Sequence, residues 1–178
     1  MSDRPVVAVL DYGIGNLRSA QKALEHVGAD ARLSADPMLI GDAAAVVLPG
    51  VGAFGRCAEA LAETGLDGLA SEAAEDASQG GRPFLGICVG LQLLHESSQE
   101  APEQPGLGVL PGRVDLLVGN VKRPQMQWNR LDVDLDHPML DGVGGKPWVY
   151  FVHSYAAPVG EDTLATVSYT HLTLPTKA

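Results

Sequence analysis

Two cysteines and five histidines are the side chains best able to do covalent or proton-transfer chemistry in this sequence of 178 residues. Cys88 is distinguished by its surroundings. Residues 83–97 read Pro-Phe-Leu-Gly-Ile-Cys-Val-Gly-Leu-Gln-Leu-Leu-His-Glu-Ser: an apolar run closes at Gly86-Ile87-Cys88-Val89-Gly90, and an amphipathic helical pattern starts at once. Strand, sharp turn and helix, with the reactive residue at the turn, is the geometry of a nucleophile elbow. The flanking glycines fit it, because a Cβ in so crowded a turn would collide with strand or helix. A thiol at a helix N-terminus also meets unpaired N–H groups and the positive end of the dipole, both of which favour thiolate. The chemistry expected is attack by the Cys88 sulfur on a carbon electrophile. The competing reading is a small cysteine packed beside a tight turn, since free cysteine packs as a hydrophobe.

A second glycine-rich segment, Pro49-Gly50-Val51-Gly52, follows a buried apolar run. Its backbone can approach a ligand and offer N–H groups to an oxyanion, with the N–H of Val89 as a further donor. Taken alone it reads equally as a plain strand-to-helix turn. Gly13-Ile14-Gly15 lacks the third glycine of a dinucleotide fingerprint, which argues against a nucleotide site there. No histidine stands out as a general base. His26 ends a helical pattern, and His137 sits in a polar turn. His95 falls seven positions past Cys88 on the expected helix, about 10 Å away and out of hydrogen-bond reach. His153, at the end of an apolar run, is better placed to line a pocket. Glu96 and Glu100 fit a solvated helix end, and Cys57 reads as packing on an Ala-rich helix. The Met, His and Cys spacings show no metal site.

These groups need a scaffold, and the pattern supplies one. Val6–Leu10 and Ala43–Leu48 are β-rich apolar runs without alternation, the mark of strands buried on both faces. Helical patterns cover Leu17–Val27, with Asn16 as N-cap and Gly28 as stop, then Phe54–Ala62 and Leu66–Ala77. Such alternation predicts an α/β fold with a mostly parallel sheet, in which ligand chemistry sits at the carboxyl ends of the strands. The glycine turns at 13–15, 50–52 and 86–90 all fall on that edge. Past about residue 98 the pattern changes to short strands at Gly112–Val118, Trp128–Asp134, Trp148–Val152 and Leu164–Val167. With 46% apolar and 19% charged residues the composition is that of one globular domain. A net charge of −10 argues against nucleic acid and anionic membrane surfaces as partners. Two cysteines make no disulfide framework, and no apolar stretch suits a signal peptide or a span, so a cytoplasmic protein is expected.

The motifs together resemble those of the class I, triad-type glutamine amidotransferases, and within them the glutaminase subunits of imidazole glycerol phosphate synthase. The resemblance rests on Leu10-Asp11-Tyr12-Gly13-Ile14-Gly15-Asn16-Leu17, Leu48-Pro49-Gly50-Val51-Gly52-Ala53-Phe54 and Leu85 to Leu94. It continues through Gly106-Leu107-Gly108, Pro111 to Val114, Trp128-Asn129 and Tyr150 to Tyr155. It implies a flavodoxin-like α/β domain, no cofactor, and glutamine as substrate. Cys88 would attack the side-chain amide, release ammonia and carry a γ-glutamyl thioester. Gly50, Val51, Gly52 and Val89 would form the oxyanion hole. Gln92, His153, Ser154 and Tyr155 would hold the glutamine. Asn16, Trp128 and Tyr150 would face a (β/α)8 cyclase subunit that receives the ammonia.

Two departures qualify the resemblance. Pro124-Gln125-Met126-Gln127-Trp128-Asn129 stands where the family has Pro-His-Met-Gly-Trp-Asn. The family also has a further strand, a His-Pro-Glu motif completing the triad, and a closing helix. Here the pattern holds through Tyr169 and then reads Thr170-His171-Leu172-Thr173-Leu174-Pro175-Thr176-Lys177-Ala178. The expectation is an incomplete amidotransferase domain over residues 1–169 and a non-native tail over 170–178, lacking the catalytic His and Glu and with little activity. Two other readings stay open: a non-catalytic scaffold for the cyclase subunit, and an elbow-cysteine hydrolase or glyoxalase.

Overall fold

The computed structural model describes residues 4–119, 121–133, 137–143 and 146–167. The expected 170–178 tail lies outside the described residues. Four parallel strands form the central sheet: β1 (Val6–Leu10), β2 (Asp30–Ser34), β3 (Ala45–Gly50) and β4 (Phe84–Cys88), in the order β2-β1-β3-β4. The chain steps outward from β1 to β2 and then returns across β1 to β3. That reversal opens a crevice at the carboxyl ends of β1 and β3, where ligands bind in open α/β sheets. The helices are α1 (Leu17–His26), α2 (Pro37–Asp42), α3 (Phe54–Glu63) and α4 (Asp67–Ser78), with a single turn, α5 (Val89–Gln92), after the elbow.

Strand alternation divides the core. Ala8, Leu10, Val46 and Leu48 point to one face, where they pack with Phe54, Cys57 and Leu61 of α3, Leu66 before α4, and Ala70 and Ala73 within it. Val7, Val9 and Val47 point to the other face, against Ala20 and Leu24 of α1. Leu85, Leu91 and Leu94 also border an apolar cavity of about 720 Å³ beside β4. Further along lie β5 (His95–Ser98), β6 (Leu110–Leu116), β7 (Gln125–Arg130), β8 (Asp132–Val133), β9 (Trp148–His153), β10 (Tyr155–Ala156) and β11 (Ala165–Thr166). They form a β10-β6-β5 sheet and two antiparallel pairs, β7 with β9 and β8 with β11.

The expected strands and long helices are present within a few residues. Four local differences have physical causes. Asn16 precedes α1 but its side chain makes no capping hydrogen bond. β2 and α2 were not anticipated: β2 is a five-residue edge strand of mixed polarity, and α2 is short and contains Gly41. The helix after Cys88 ends at Gln92, because His95 turns into β5 to pair with Leu110. Gln127, in place of the family's glycine, sits in regular β7 opposite Phe151, where an extended backbone accepts any residue.

Candidate active site

Cys88 is the last residue of β4 and is exposed. Its backbone, at φ 57° and ψ −115°, is the one non-glycine positive φ among the described residues. A non-glycine residue in such a region costs about 1–3 kcal/mol and persists where the surroundings over-determine it. Here the parallel register sets Gly50 directly opposite Cys88. A Cβ on Gly50 would lie 2.5 Å from the Gly90 nitrogen, and one on Gly90 would overlap the Leu48 carbonyl oxygen. The two glycine segments are therefore interlocked halves of one structure: the end of β3 and the elbow touch backbone to backbone. That brings the Gly50-Val51-Gly52 loop beside the sulfur, with Val89 opening the next turn.

Three side chains hold this loop from behind. Tyr12, just past β1, donates its hydroxyl to the Pro49 carbonyl at 2.6 Å. Cys57 of α3 donates its thiol to the Val51 carbonyl at 3.3 Å. Glu100 accepts from the Phe54 N–H at 2.8 Å, capping α3 from 46 residues away. Burial pushes both the Tyr12 phenol and the Cys57 thiol up, so both stay protonated donors. These contacts correct two expectations. Cys57 does have polar partners, and Glu100 is an inward-facing cap, not a solvated side chain. Their signal in the sequence is weak: Tyr12 and Glu100 reach partners 37 and 46 residues away, and the Cys57 thiol turns back from its helix to the loop before it. Glu96 lies on β5, where its carboxylate accepts from the Gly112 N–H at 3.1 Å.

A separate group of contacts joins α5 to the end of β9 and the start of β10. Gln92 donates its amide to the Tyr155 carbonyl at 3.3 Å, and His153 Nδ1 lies 2.9 Å from the same oxygen. Donation to that carbonyl places the His153 proton on Nδ1, and burial pushes its pKa down. The structure thus joins Gln92 to the 153–155 segment, residues that the resemblance groups together. Cys88, by contrast, has no hydrogen bond to a histidine among the described residues. His95 is buried in β5 with Nδ1 3.1 Å from the Pro111 carbonyl. His137 accepts from the Met139 N–H at 3.1 Å, and His26 is exposed at the end of α1. The described residues also hold no cluster of three or more His, Cys, Asp or Glu suited to a metal, and no helix long and apolar enough to cross a membrane.

The β7–β9 ladder presents a continuous outward face. Met126 pairs with Val152, Trp128 with Tyr150, and Arg130 with Trp148. Trp128 is 62% exposed and Tyr150 51%, their rings 5.4 Å apart, and Arg130 lies 5.2 Å over Trp148. Asn16 is exposed on the same carboxyl edge of the sheet as Cys88.

These features, an α/β sheet of order 2-1-3-4 with a cysteine at the elbow after β4 and an interlocked glycine loop, occur in a sequence that matches the family Glutamine amidotransferase class-I over residues 8–173. The chain belongs to that family. Solved structures agree on the fold: a glutamine amidotransferase crystal structure gives a TM-score of 0.66 at 23% identity, covering 90% of this chain and 79% of its own. PurLQS from Thermotoga maritima gives 0.63 at 20% identity, covering 92% and 74%. Curated relatives narrow the class. The imidazole glycerol phosphate synthase subunit HisH of Salinibacter ruber is 45% identical over 175 residues, 93% of this chain and 78% of that protein. That of Synechococcus elongatus is 42% identical over 181 residues, covering 100% and 81%, and that of Halobacterium salinarum 46% over 158 residues, covering 85% and 69%. Within the class I amidotransferases, the chain is a member of the HisH family.

Proposed function

We propose that this chain is the glutaminase subunit of an imidazole glycerol phosphate synthase. Cys88 sulfur adds to the γ-carbonyl of glutamine, the C–N bond breaks, and ammonia leaves with the proton the thiol gives up. Water then hydrolyses the γ-glutamyl thioester to glutamate. The observation that carries the reading is the register of Gly50 on Cys88, which sets backbone amides beside an elbow held at positive φ. Val89 and the Gly50–Gly52 loop would bind the oxyanion, and Gln92 with His153, Ser154 and Tyr155 would orient the glutamine. The exposed Trp128–Tyr150 face, with Asn16, would dock a (β/α)8 cyclase subunit that consumes the ammonia. Residues 1–169 would make up the amidotransferase domain.

Among the described residues Cys88 has no hydrogen bond to a histidine, and a thiol served by those residues alone would turn glutamine over slowly. Loss of a general base costs about 10²–10⁴ in rate. The same observation favours a second reading, a scaffold that binds the cyclase subunit without catalysis. The deciding experiment combines pull-down on the cyclase subunit, a glutaminase assay, and labelling of Cys88 by an electrophilic glutamine analogue. Labelling that glutamine protects against supports the glutaminase. Binding with no protected labelling supports the scaffold. Labelling indifferent to glutamine supports an elbow-cysteine hydrolase and sinks both. Trp128→Ala with Tyr150→Ala should weaken capture of the cyclase at least tenfold, since truncation of central aromatic anchors commonly costs about 2 kcal/mol or more each.

A further inference from the structure

The oxyanion loop is itself held by a pair of buried donors from two separate elements. The Tyr12 hydroxyl reaches the Pro49 carbonyl across 37 residues of sequence, and the Cys57 thiol reaches the Val51 carbonyl across six. Tyr12 is 2% exposed and Cys57 fully buried, and both belong to one core cluster. A trans peptide carries its C=O and N–H on opposite sides of the bond. With the Val51 carbonyl drawn back onto Cys57, the Gly52 N–H faces away from the core. Val51, Gly52 and Cys88 are all exposed. With the Pro49 carbonyl turned to Tyr12, the Gly50 N–H turns the other way, into the ladder with β4. A cysteine used only for packing needs no carbonyl at its sulfur, and a buried tyrosine used only for packing needs none at its hydroxyl.

We infer that Cys57 and Tyr12 are positioning residues, which pin the Pro49 and Val51 carbonyls to the core and so keep the Gly52 amide aimed at an oxyanion on Cys88. The inference rests on the glutaminase reading. Its test separates acyl transfer, which develops an oxyanion, from alkylation, which does not. The acyl donor is glutamate γ-thiomethyl ester: Cys88 sulfur adds to the γ-carbonyl, methanethiol leaves with the thiol's proton, and a γ-glutamyl thioester remains. Its good leaving group lowers the demand for a base. The alkylating agent is iodoacetamide, which forms a C–S bond at Cys88 and releases iodide. Both rates are read by mass spectrometry on the chain, alone and with its cyclase partner.

Removing an oxyanion donor outright costs about 10²–10³, and misaiming one costs less, so Cys57→Ala should slow acylation about tenfold while alkylation of Cys88 stays as in the parent chain. Tyr12→Phe should behave alike. Cys57→Ser keeps an O–H donor and should recover acylation to within about threefold of the parent. Acylation of folded Cys57→Ala and Tyr12→Phe at the parent rate would overturn the inference. So would a parallel fall of acylation and alkylation, which places the effect in the thiol or the fold. If the parent itself is acylated no faster than free cysteine, the glutaminase reading falls and takes the inference with it. A reactive parent with unaffected variants removes the inference alone.

Discussion

The Glu100 carboxylate is the most informative place to perturb this fold, because it links the strand-rich second half of the chain to the loop beside Cys88. α3 begins with Ala53 at its N-cap, which has no side chain able to accept a hydrogen bond. Glu100 supplies the missing acceptor, taking the Phe54 N–H at 2.8 Å in a half-buried contact, and its own N–H is held by Ser98 Oγ at 3.2 Å. A hydrogen bond to a charged group is worth about 1.5–3 kcal/mol, and a negative charge at a helix N-terminus adds about 0.3–1 kcal/mol. Because water can reach the half-buried site once the side chain is gone, the lower end applies: Glu100→Ala should cost about 2 kcal/mol. Glu100→Gln keeps a neutral acceptor and should cost about 1 kcal/mol. In a domain of this size a kcal/mol moves Tm by about 2–4 °C, so the alanine variant should melt about 4–8 °C lower and the glutamine variant about half that. Far-UV circular dichroism during thermal and urea unfolding reads both. If Glu100→Ala leaves stability unchanged, or Glu100→Gln is as damaging as alanine, the remote-cap reasoning is wrong.

Two further outcomes follow from the same geometry. Cys88→Gly should stabilise the fold by about 1 kcal/mol, since relief of about 1–3 kcal/mol of positive-φ strain outweighs the backbone entropy glycine loses, whereas Cys88→Ala keeps the strain and should not stabilise; urea midpoints of the two variants compare them directly. Burial holds the His95 pKa below its ordinary 6.5, opposed by Glu96 and Asp162 nearby, so the unfolded chain takes up a proton that the folded one refuses. His95 thus contributes stability that is present above pH 6.5 and lost as pH falls from there through its lowered folded pKa. His153 is displaced in the same direction, so His95→Phe should flatten the acid side of the stability profile without abolishing its slope, and an unchanged slope would refute the assignment.

The elbow, the parallel sheet and the glycine loop were legible in the sequence because each is a local pattern. Val6–Leu10 and the run before Pro49 are apolar without alternation, as strands covered on both faces must be. Gly86, Cys88 and Gly90 announce a turn whose crowding is confirmed by the overlap a Cβ at Gly90 would make with Leu48. What was read less well is short or non-local. β2 and α2 are too brief for a period to emerge, and the amphipathic stretch after Cys88 fits a helix on its own terms until pairing with β6 draws His95 into a strand. Cys57 and Glu100 carried no local sign of their roles, since a thiol on an alanine-rich helix and a glutamate in a polar stretch are ordinary.

By itself, then, the sequence singled out Cys88 as the candidate nucleophile, a turn that presents it at the carboxyl edge of a parallel sheet, and the glycines such a turn requires. Only the tertiary structure decided that Gly50 stands opposite Cys88, that Gln92 meets the Tyr155 carbonyl, and that Tyr12, Cys57 and Glu100 converge behind the loop. The physical reason is range. Propensity, period and turn chemistry act over a few residues, while register and buried hydrogen bonds join segments that become neighbours once strand order and packing are set.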